Sequence, residues 1–219
     1  MTTFTFDKNN TFCINLLSRP DRWHKILNRC NYINIDITRW NACTENDVVD
    51  IFEDTMSLSE RACAQSHINL WRHIVENNLP YAFIIEDDAI FDKKICYKIQ
   101  KWNDTINDPD WDMILLNSSE PETITNTWVK CKRQYMAGGY IISNKCIKDM
   151  LEFYKTRYER SDWMLVHFQN RNHSYAHFPW CIIQEDSDSN VNNSTIKKHH
   201  SMKIAHLNSI NYYINNYVL

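Results

Sequence analysis

The stretch FIIEDDAIF, residues 83–91, contains three consecutive acidic residues between two apolar runs. The chain from Tyr81 to Ile85 has the composition of a buried strand, and residues 89–91 are apolar again. Adjacent carboxylates at the end of a strand repel one another unless a cation neutralises their charge. The carboxyl ends of strands are also where α/β folds bind ligands. The stretch therefore predicts a ligand site that uses a cation at the end of a central strand.

The three acidic residues are Glu86, Asp87 and Asp88. In an extended segment, residues i and i+2 point to the same side, so Glu86 and Asp88 are expected together and Asp87 opposite. A site with a few oxygen ligands suits Mg²⁺ or Mn²⁺, which leave positions for water and substrate phosphates. The alternative is a solvated acidic turn, but the apolar residues on both sides favour a metal site.

Composition indicates a globular domain. The chain has 219 residues, of which 43% are hydrophobic and 23% charged. We expect a single domain over residues 1–219, with a core of about 11–196 and a polar, Asn-rich C-terminal tail. The net charge of −3 and the lack of a long basic run argue against tight non-specific binding to nucleic acid.

The sequence also bears on compartment. No apolar stretch approaches the ~20 residues that a membrane span needs, and the start MTTFTFDKNN lacks the features of a signal peptide. We therefore expect a protein of the cytoplasm or of another soluble compartment. The eight cysteines form no CxxC pair, which favours buried thiols over a zinc site.

Apolar periodicity predicts strands that alternate with helices. Strands are predicted at residues 12–17, 32–37, 81–85, 111–116 and 140–142, and helices at residues 20–30, 57–77 and 144–158. Ser57 and Glu60 have the spacing of a capping box at the start of the second helix. This alternation predicts an α/β fold with a Rossmann-like, mostly parallel sheet flanked by helices.

Glycine is almost absent from the chain. Its two glycines, Gly138 and Gly139, are adjacent. This pattern predicts either a backbone with positive φ or a close approach to the backbone, and an ordinary turn is the alternative.

Four segments, taken in order, resemble glycosyltransferase family 25, which includes lipooligosaccharide glycosyltransferases and collagen galactosyl- and glucosyltransferases. They are CINLLSRPDR (13–22), SERACAQSHINLW (59–71), FIIEDDAIF (83–91) and AGGYIIS (137–143). The segments SDWML (161–165) and PWCIIQ (179–184) carry a weaker, fifth likeness. The resemblance implies a GT-A fold, a UDP-sugar donor and a divalent metal, usually Mn²⁺.

The resemblance also implies roles for single residues. Glu86 and Asp88 match the acidic pair that contacts the donor and the metal. Asn15, Arg19 and Arg22 lie where the family's first strand meets the nucleotide, and the alternative for Arg22 is a solvated residue in the first turn of a helix.

Further roles concern the sugar, the metal and the acceptor. Gly138 and Gly139 would let the backbone approach the donor sugar. Gln184 lies where collagen-type relatives carry a histidine that can join the metal. Asp162 is the candidate base for the acceptor hydroxyl in an inverting transfer, or it orients the acceptor in a retaining one. The alternative for Asp162 is the N-cap of a helix that starts at Trp163.

His67 matches a histidine of the family motif, and its place beside Trp71 favours a core histidine that braces the acidic strand. The chain also departs from the family pattern, with Ala62 in place of a glycine and Trp163 in place of an acid.

The expected function is the metal-dependent transfer of glucose or galactose from a UDP-sugar to a saccharide or a collagen-type, hydroxylysine-linked acceptor. The alternatives are a non-catalytic relative that binds glycan or protein, and a metal-dependent phosphoesterase.

Overall fold

The computed structural model describes residues 4–106, 108–118, 127–185 and 193–219, and side chains in the last range from His200 onward. Among these residues we find no helix with both the length and the apolarity to traverse a bilayer.

The strands form one large sheet and one small sheet. They are β1 (Thr11–Asn15), β2 (Thr38–Asn41), β3 (Tyr81–Glu86), β4 (Ala89–Phe91), β5 (Met113–Leu115), β6 (Thr127–Lys130), β7 (Gly139–Ser143), β8 (Ser174–Phe178) and β9 (Ile182–Gln184). Within the described ranges, the large sheet has the order β2-β1-β3-β7-β5-β8-β6, and β4 pairs with β9. Strands β6 and β7 run antiparallel to their neighbours, and the pairs β1–β2, β1–β3 and β5–β8 are parallel. The predicted α/β fold with a mostly parallel sheet is therefore confirmed.

Six α-helices lie in the described ranges. They are α1 (Pro20–Tyr32), α2 (Leu58–Glu76), α3 (Ile95–Thr105), α4 (Asn144–Phe153), α5 (Ser161–Gln169) and α6 (Asn193–Ser209). The capping box predicted at α2 is confirmed, because Ser57 Oγ accepts from Glu60 N and Glu60 Oε2 accepts from Ser57 N at 2.8 Å.

The predicted strand at residues 32–37 is wrong. Helix α1 continues to Tyr32, and the strand begins only at Thr38. Between them Asn34 adopts a φ of 56°, the left-handed conformation that commonly follows a helix. Ile35 and Ile37 are buried against the core from this connecting segment. Their alternation resembles a strand because they pack on one side, although the segment does not join the sheet there.

Strand β3 is buried on both faces. Ala82 and Ile84 belong to the core cluster that includes residues of α2, α4 and α5, whereas Phe83 and Ile85 belong to the cluster that includes residues of α1 and α3. A strand covered on both faces has a continuous apolar run rather than an alternating one. This explains the composition of the segment that precedes the three acidic residues.

The C-terminal residues pack back onto the domain. Leu207 of α6 and Tyr217 are buried in a cluster with Trp180 and Ile183, and the Tyr217 hydroxyl donates to the carbonyl of Trp180 at 2.7 Å. The segment expected as a polar tail therefore contributes a helix, and this helix lies beside β9.

All eight cysteines lie in the described ranges, and none forms a disulfide. Five of them are buried: Cys13, Cys30, Cys131, Cys146 and Cys181. The prediction of mostly buried thiols is confirmed.

Candidate active site

A cleft of about 570 Å³ lies at the carboxyl ends of β1 and β3. The parallel register pairs Ile14 with Glu86, so Asn15 and Asp87 follow side by side as the two strands end. Residues of α2, α5 and α6 complete its lining, and among them are Cys63, Asp162 and Lys203. The cleft is therefore at the edge of the sheet where the sequence predicts a ligand site.

The three consecutive acids divide between two sides of the cleft. Asp87 accepts a hydrogen bond from Asn15 Nδ2 at 2.6 Å and forms an ion pair with Arg22 at 3.0 Å. Glu86 and Asp88 meet on the other side, where Gln184 Nε2 lies 3.1 Å from Glu86 Oε2 and 3.4 Å from the Asp88 carboxylate oxygens. This is the separation that the alternation of an extended segment predicts.

The electrostatics of the acids favour a bound cation. Burial, together with the negative charges of Glu86 and Asp87, raises the pKa of Asp88 to about 7. Burial also raises the pKa of Asp87, although Asn15 and Arg22 partly oppose this shift. A cation bound beside Asp88 would favour its charged form and so oppose this shift.

Glu86, Asp88 and Gln184 are the residues that fit a divalent metal. Carboxylate and amide oxygens are the ligands that Mg²⁺ and Mn²⁺ prefer. Strand β9 holds Gln184 opposite Ala89 of β4, directly after the acids. His200 Nδ1 donates to the Gln184 carbonyl at 2.7 Å and so ties α6 to this strand. An amide group that now donates between two carboxylates lies where a cation would offset their charge.

His67 is a buried histidine that braces the acidic strand, as the sequence predicts. Its ring lies between the Tyr140 hydroxyl, 2.8 Å from Nδ1, and Glu86 Oε1, 3.4 Å from Nε2. Trp71 Nε1, which can only donate, donates to the same hydroxyl at 3.0 Å. All four groups are satisfied when Tyr140 donates to Nδ1 and Nε2–H of His67 donates to Glu86.

A second group of possible ligands comprises Cys63, His67 and Glu86, whose ligand atoms lie within 4.8 Å of one another. Sulfur and nitrogen suit zinc rather than Mn²⁺. Burial raises the pKa of the Cys63 thiol, and the neighbouring charge of Glu86 adds to this, so the thiol stays protonated. Glu86 and Asp88 therefore make the better site for a hard cation.

The two glycines occupy crowded positions, and neither has a positive φ. A Cβ at Gly138 would lie 2.7 Å from Asn117 Nδ2 and 3.0 Å from Gln184 Cδ, and one at Gly139 would overlap Ile182. The predicted close approach to the glycine backbone is therefore present, and the side chains of Asn117, Gln184 and Ile182 make it. Contact of the glycines with a donor sugar stays a prediction.

The two arginines of the first turn differ in position. The Arg22 side chain is 11% exposed, lines the cleft and binds Asp87, so it is not the solvated residue of the alternative interpretation. The guanidinium of Arg19 binds Asp21 at 2.9 Å, and the Arg19 carbonyl accepts from Asn15 Nδ2 at 3.2 Å. The structure thus brings Arg22 to the acids and directs Arg19 to Asp21.

Asp162 lines the same cleft from the first turn of α5. Helix α5 begins at Ser161 with Arg160 as its N-cap, so the interpretation of Asp162 as an N-cap is wrong. Its Oδ1 accepts from the backbone N–H of Trp163 at 3.0 Å. Burial raises the pKa of Asp162, and the charge of Glu86 contributes to the shift. A carboxyl group with a raised pKa in a cleft is suited to accept a proton.

The sequence did not point to several residues of the cleft. Arg160 and Glu60 form an ion pair at 2.7 Å that joins α5 to α2. His200 and Lys203 come from α6, in the segment that was expected to be a polar tail. A His or Lys in a polar segment carries no periodic signal, so these two residues could be found only from the fold.

A family model described as "Glycosyltransferase family 25 (LPS biosynthesis protein)" matches residues 8–165. The chain belongs to glycosyltransferase family 25. The resemblance carried by the four segments is thereby confirmed, and each of the four lies inside the matched range.

Two relatives are similar to the chain over part of their length. A "Glycosyltransferase 25 family member" from Aedes aegypti is 22% identical over 169 residues, which are 66% of this chain and 28% of the relative. The human "Procollagen galactosyltransferase 2" is 28% identical over 99 residues, which are 40% of this chain and 16% of the relative. The chain thus spans less than a third of either relative.

One solved structure, "Crystal structure of a glycosyltransferase involved in the glycosylation of the major capsid of PBCV-1", is similar at a TM-score of 0.40 and 7% identity. The match covers 88% of this chain and 98% of that one.

The residues of the cleft lie on both sides of the family 25 boundary. Asn15, Glu86, Asp88 and Asp162 are within the matched range of 8–165, and Gln184 follows it together with the residues of α6.

Proposed function

We propose that this chain is a metal-dependent glycosyltransferase that moves a hexose, glucose or galactose, from a UDP-sugar to an acceptor hydroxyl. One observation carries the proposal: in a member of family 25, Glu86 and Asp88 converge on Gln184 in a cleft of about 570 Å³. Clefts of roughly 300–1,000 Å³ are typical of sites that bind small molecules and cofactors. The family description mentions LPS biosynthesis and the name of the human relative contains procollagen, which supports a saccharide or a collagen-type, hydroxylysine-linked acceptor.

In this proposal, Glu86 and Asp88, with Gln184, hold Mn²⁺ or Mg²⁺. The metal would neutralise negative charge on the diphosphate. Asn15 and Arg22 are beside the nucleotide, and Arg22 keeps Asp87 paired so that this third acid is compensated by the protein. Gly138, Gly139 and Arg19, which are not among the described lining residues of the cleft, are the remaining proposed donor contacts.

The transfer makes one bond and breaks another. The acceptor oxygen bonds to the anomeric carbon of the sugar, the bond from that carbon to the diphosphate breaks, and UDP leaves with the electron pair. The acceptor hydroxyl loses a proton, and Asp162 is the proposed base because it lines the cleft and has a raised pKa. In a retaining transfer, Asp162 would orient the acceptor instead.

A donor screen tests the proposal. The purified chain is incubated with Mn²⁺ and a panel of nucleotide sugars, with and without simple saccharides and hydroxylysine glycopeptides, and free UDP is measured. We expect release of UDP from UDP-glucose or UDP-galactose. Binding of glycan with no release from any donor would indicate a non-catalytic relative. Turnover of simple phosphoesters in place of nucleotide sugars would indicate a phosphoesterase.

A further inference from the structure

Lys203 is a buried cation that lines the cleft from α6. The residue is 5% exposed, and its Nζ lies 4.9 Å from the centroid of the Trp180 ring and donates to Asn117 Oδ1. Both partners are neutral. In the part of the chain whose side chains are described, no carboxylate lies within ion-pair distance of Lys203, whereas Arg22 and Arg160 are paired with Asp87 and Glu60.

A buried ammonium group without a carboxylate partner is costly. The Trp180 ring and the Asn117 amide offset part of the lost hydration, but neither supplies a negative charge. Burial accordingly lowers the pKa of Lys203 to about 7, against the opposing influence of Asp88. An anion bound in the cleft would supply the missing charge and stabilise the protonated form.

The cleft therefore has two kinds of unbalanced charge. The carboxylates of Glu86 and Asp88 converge on the neutral amide of Gln184, and the ammonium group of Lys203 donates to the neutral amide of Asn117. A ligand that is itself a cation paired with an anion matches both. A diphosphate bound to a divalent metal carries both charges, whereas a neutral sugar carries neither.

We propose that Lys203 binds the diphosphate of the sugar nucleotide, so that α6 forms part of the donor site; this rests on the function proposed above. As the bond to the anomeric carbon breaks, negative charge grows on the diphosphate. An ammonium group already held in place stabilises that charge without reorganisation. Helix α6, which lies beyond residues 8–165 of the family match, thereby contributes a residue that stabilises the leaving diphosphate.

The test compares Lys203→Met with Lys148→Met, the same change at an exposed lysine of α4. Binding of pyrophosphate, UDP and UMP is measured by calorimetry on the full chain in Mn²⁺. We expect Lys203→Met to weaken pyrophosphate and UDP by about tenfold or more, as the loss of a charge-assisted hydrogen bond predicts, and UMP by much less. Lys148→Met should bind all three as the unmodified chain does.

Several outcomes would overturn the inference. They are equal binding of pyrophosphate by Lys203→Met and the unmodified chain, an equal loss for UMP and UDP, or no binding of pyrophosphate by the unmodified chain. If pyrophosphate binds and depends on Lys203 but UDP does not bind, the proposed UDP donor is wrong and the diphosphate site stands.

A second measurement uses the unmodified chain, in case Lys203→Met does not fold. Brief acetylation with acetic anhydride, read by mass spectrometry, reports the accessibility of each lysine. Pyrophosphate with Mn²⁺ should protect Lys203 and leave Lys148 unchanged. Equal labelling of Lys203 with and without pyrophosphate would contradict the inference.

Discussion

The imidazole of His67 lies with Nε2 3.4 Å from Oε1 of Glu86, and its other nitrogen is 2.8 Å from the Tyr140 hydroxyl. Helix α2 thereby holds the last residue of β3 through a histidine with no exposed surface. The ring does not have to act on substrate to affect activity, because it sets the direction of the Glu86 carboxylate, a proposed metal ligand.

We predict that Tyr140→Phe destabilises the protein and lowers turnover. Without the hydroxyl, Trp71 Nε1 and His67 Nδ1 lose their shared partner, and an unsatisfied buried group costs about 1–3 kcal/mol. Chemical denaturation and turnover are measured together. Tyr158→Phe is the control, because Arg72, the partner of the Tyr158 hydroxyl, keeps its ion pair with Asp50. Full turnover by Tyr140→Phe would show that the brace serves stability alone.

We predict that Asp88→Asn nearly abolishes transfer without unfolding the protein. The raised pKa of Asp88 also gives a pH dependence. Its stabilising contribution is present below the ordinary carboxyl pKa of about 4 and is lost as pH rises toward 7, because the folded state then holds an unfavourable charge. In EDTA, Asp88→Asn should therefore gain stability over the unmodified chain between about pH 4 and pH 7.

Thermal unfolding at both pH values, with a turnover assay, checks this expectation. Asp104→Asn, at a side chain that is 58% exposed on α3, is the matched control and should show neither effect. Retained transfer by Asp88→Asn would remove Asp88 from the site, and a loss of folding would make it a structural residue.

We predict that UDP and Mn²⁺ together raise the melting temperature by more than the sum of their separate effects. A ligand that binds only the folded state stabilises it by mass action, and the metal should join the carboxylates to the diphosphate. Differential scanning fluorimetry with each ligand, both and neither gives the comparison. An equal shift by UDP in the presence of EDTA would count against a donor that binds through metal.

We predict that Asp162→Asn leaves UDP and Mn²⁺ binding intact and lowers transfer by about 10²–10⁴-fold, the usual contribution of a general base. The asparagine oxygen can still accept from the Trp163 N–H, so the first turn of α5 should be preserved. Calorimetry and initial rates are compared on the same preparation. Transfer at the unmodified rate, with UDP affinity unchanged, would eliminate the catalytic role.

The sequence predicted those parts of the fold that have a strong local signal. The capping box set the start of α2, and the continuous apolar run identified β3 as a central strand. The separation of Asp87 from Glu86 and Asp88 also followed from strand geometry alone. The antiparallel direction of β7 did not, because direction depends on how the chain returns to the sheet and not on the composition of the strand.

The cleft was predicted only in part for a similar reason. Glu86 and Asp88 are close together in the sequence and could be recognised there. Lys203 lies more than a hundred residues later and enters the same cleft only because α6 packs against it. Gln184 depends on the pairing of β9 with β4, two strands of three residues each that are too short for a periodic pattern.

The small β4–β9 sheet has a consequence for how the domain opens. The β4–β9 pair has three residues in each strand and so fewer ladder hydrogen bonds than the large sheet, and we expect β9, with its buried Ile182 and Ile183, to detach before the large sheet unfolds. Cys181 is buried directly before β9, and Cys13 is buried within β1. Alkylation of Cys181 therefore reports opening at β9, and alkylation of Cys13 reports opening of the large sheet. Faster modification of Cys181 than of Cys13 under native conditions would reveal molecules that have released Gln184 while the rest of the domain is still folded.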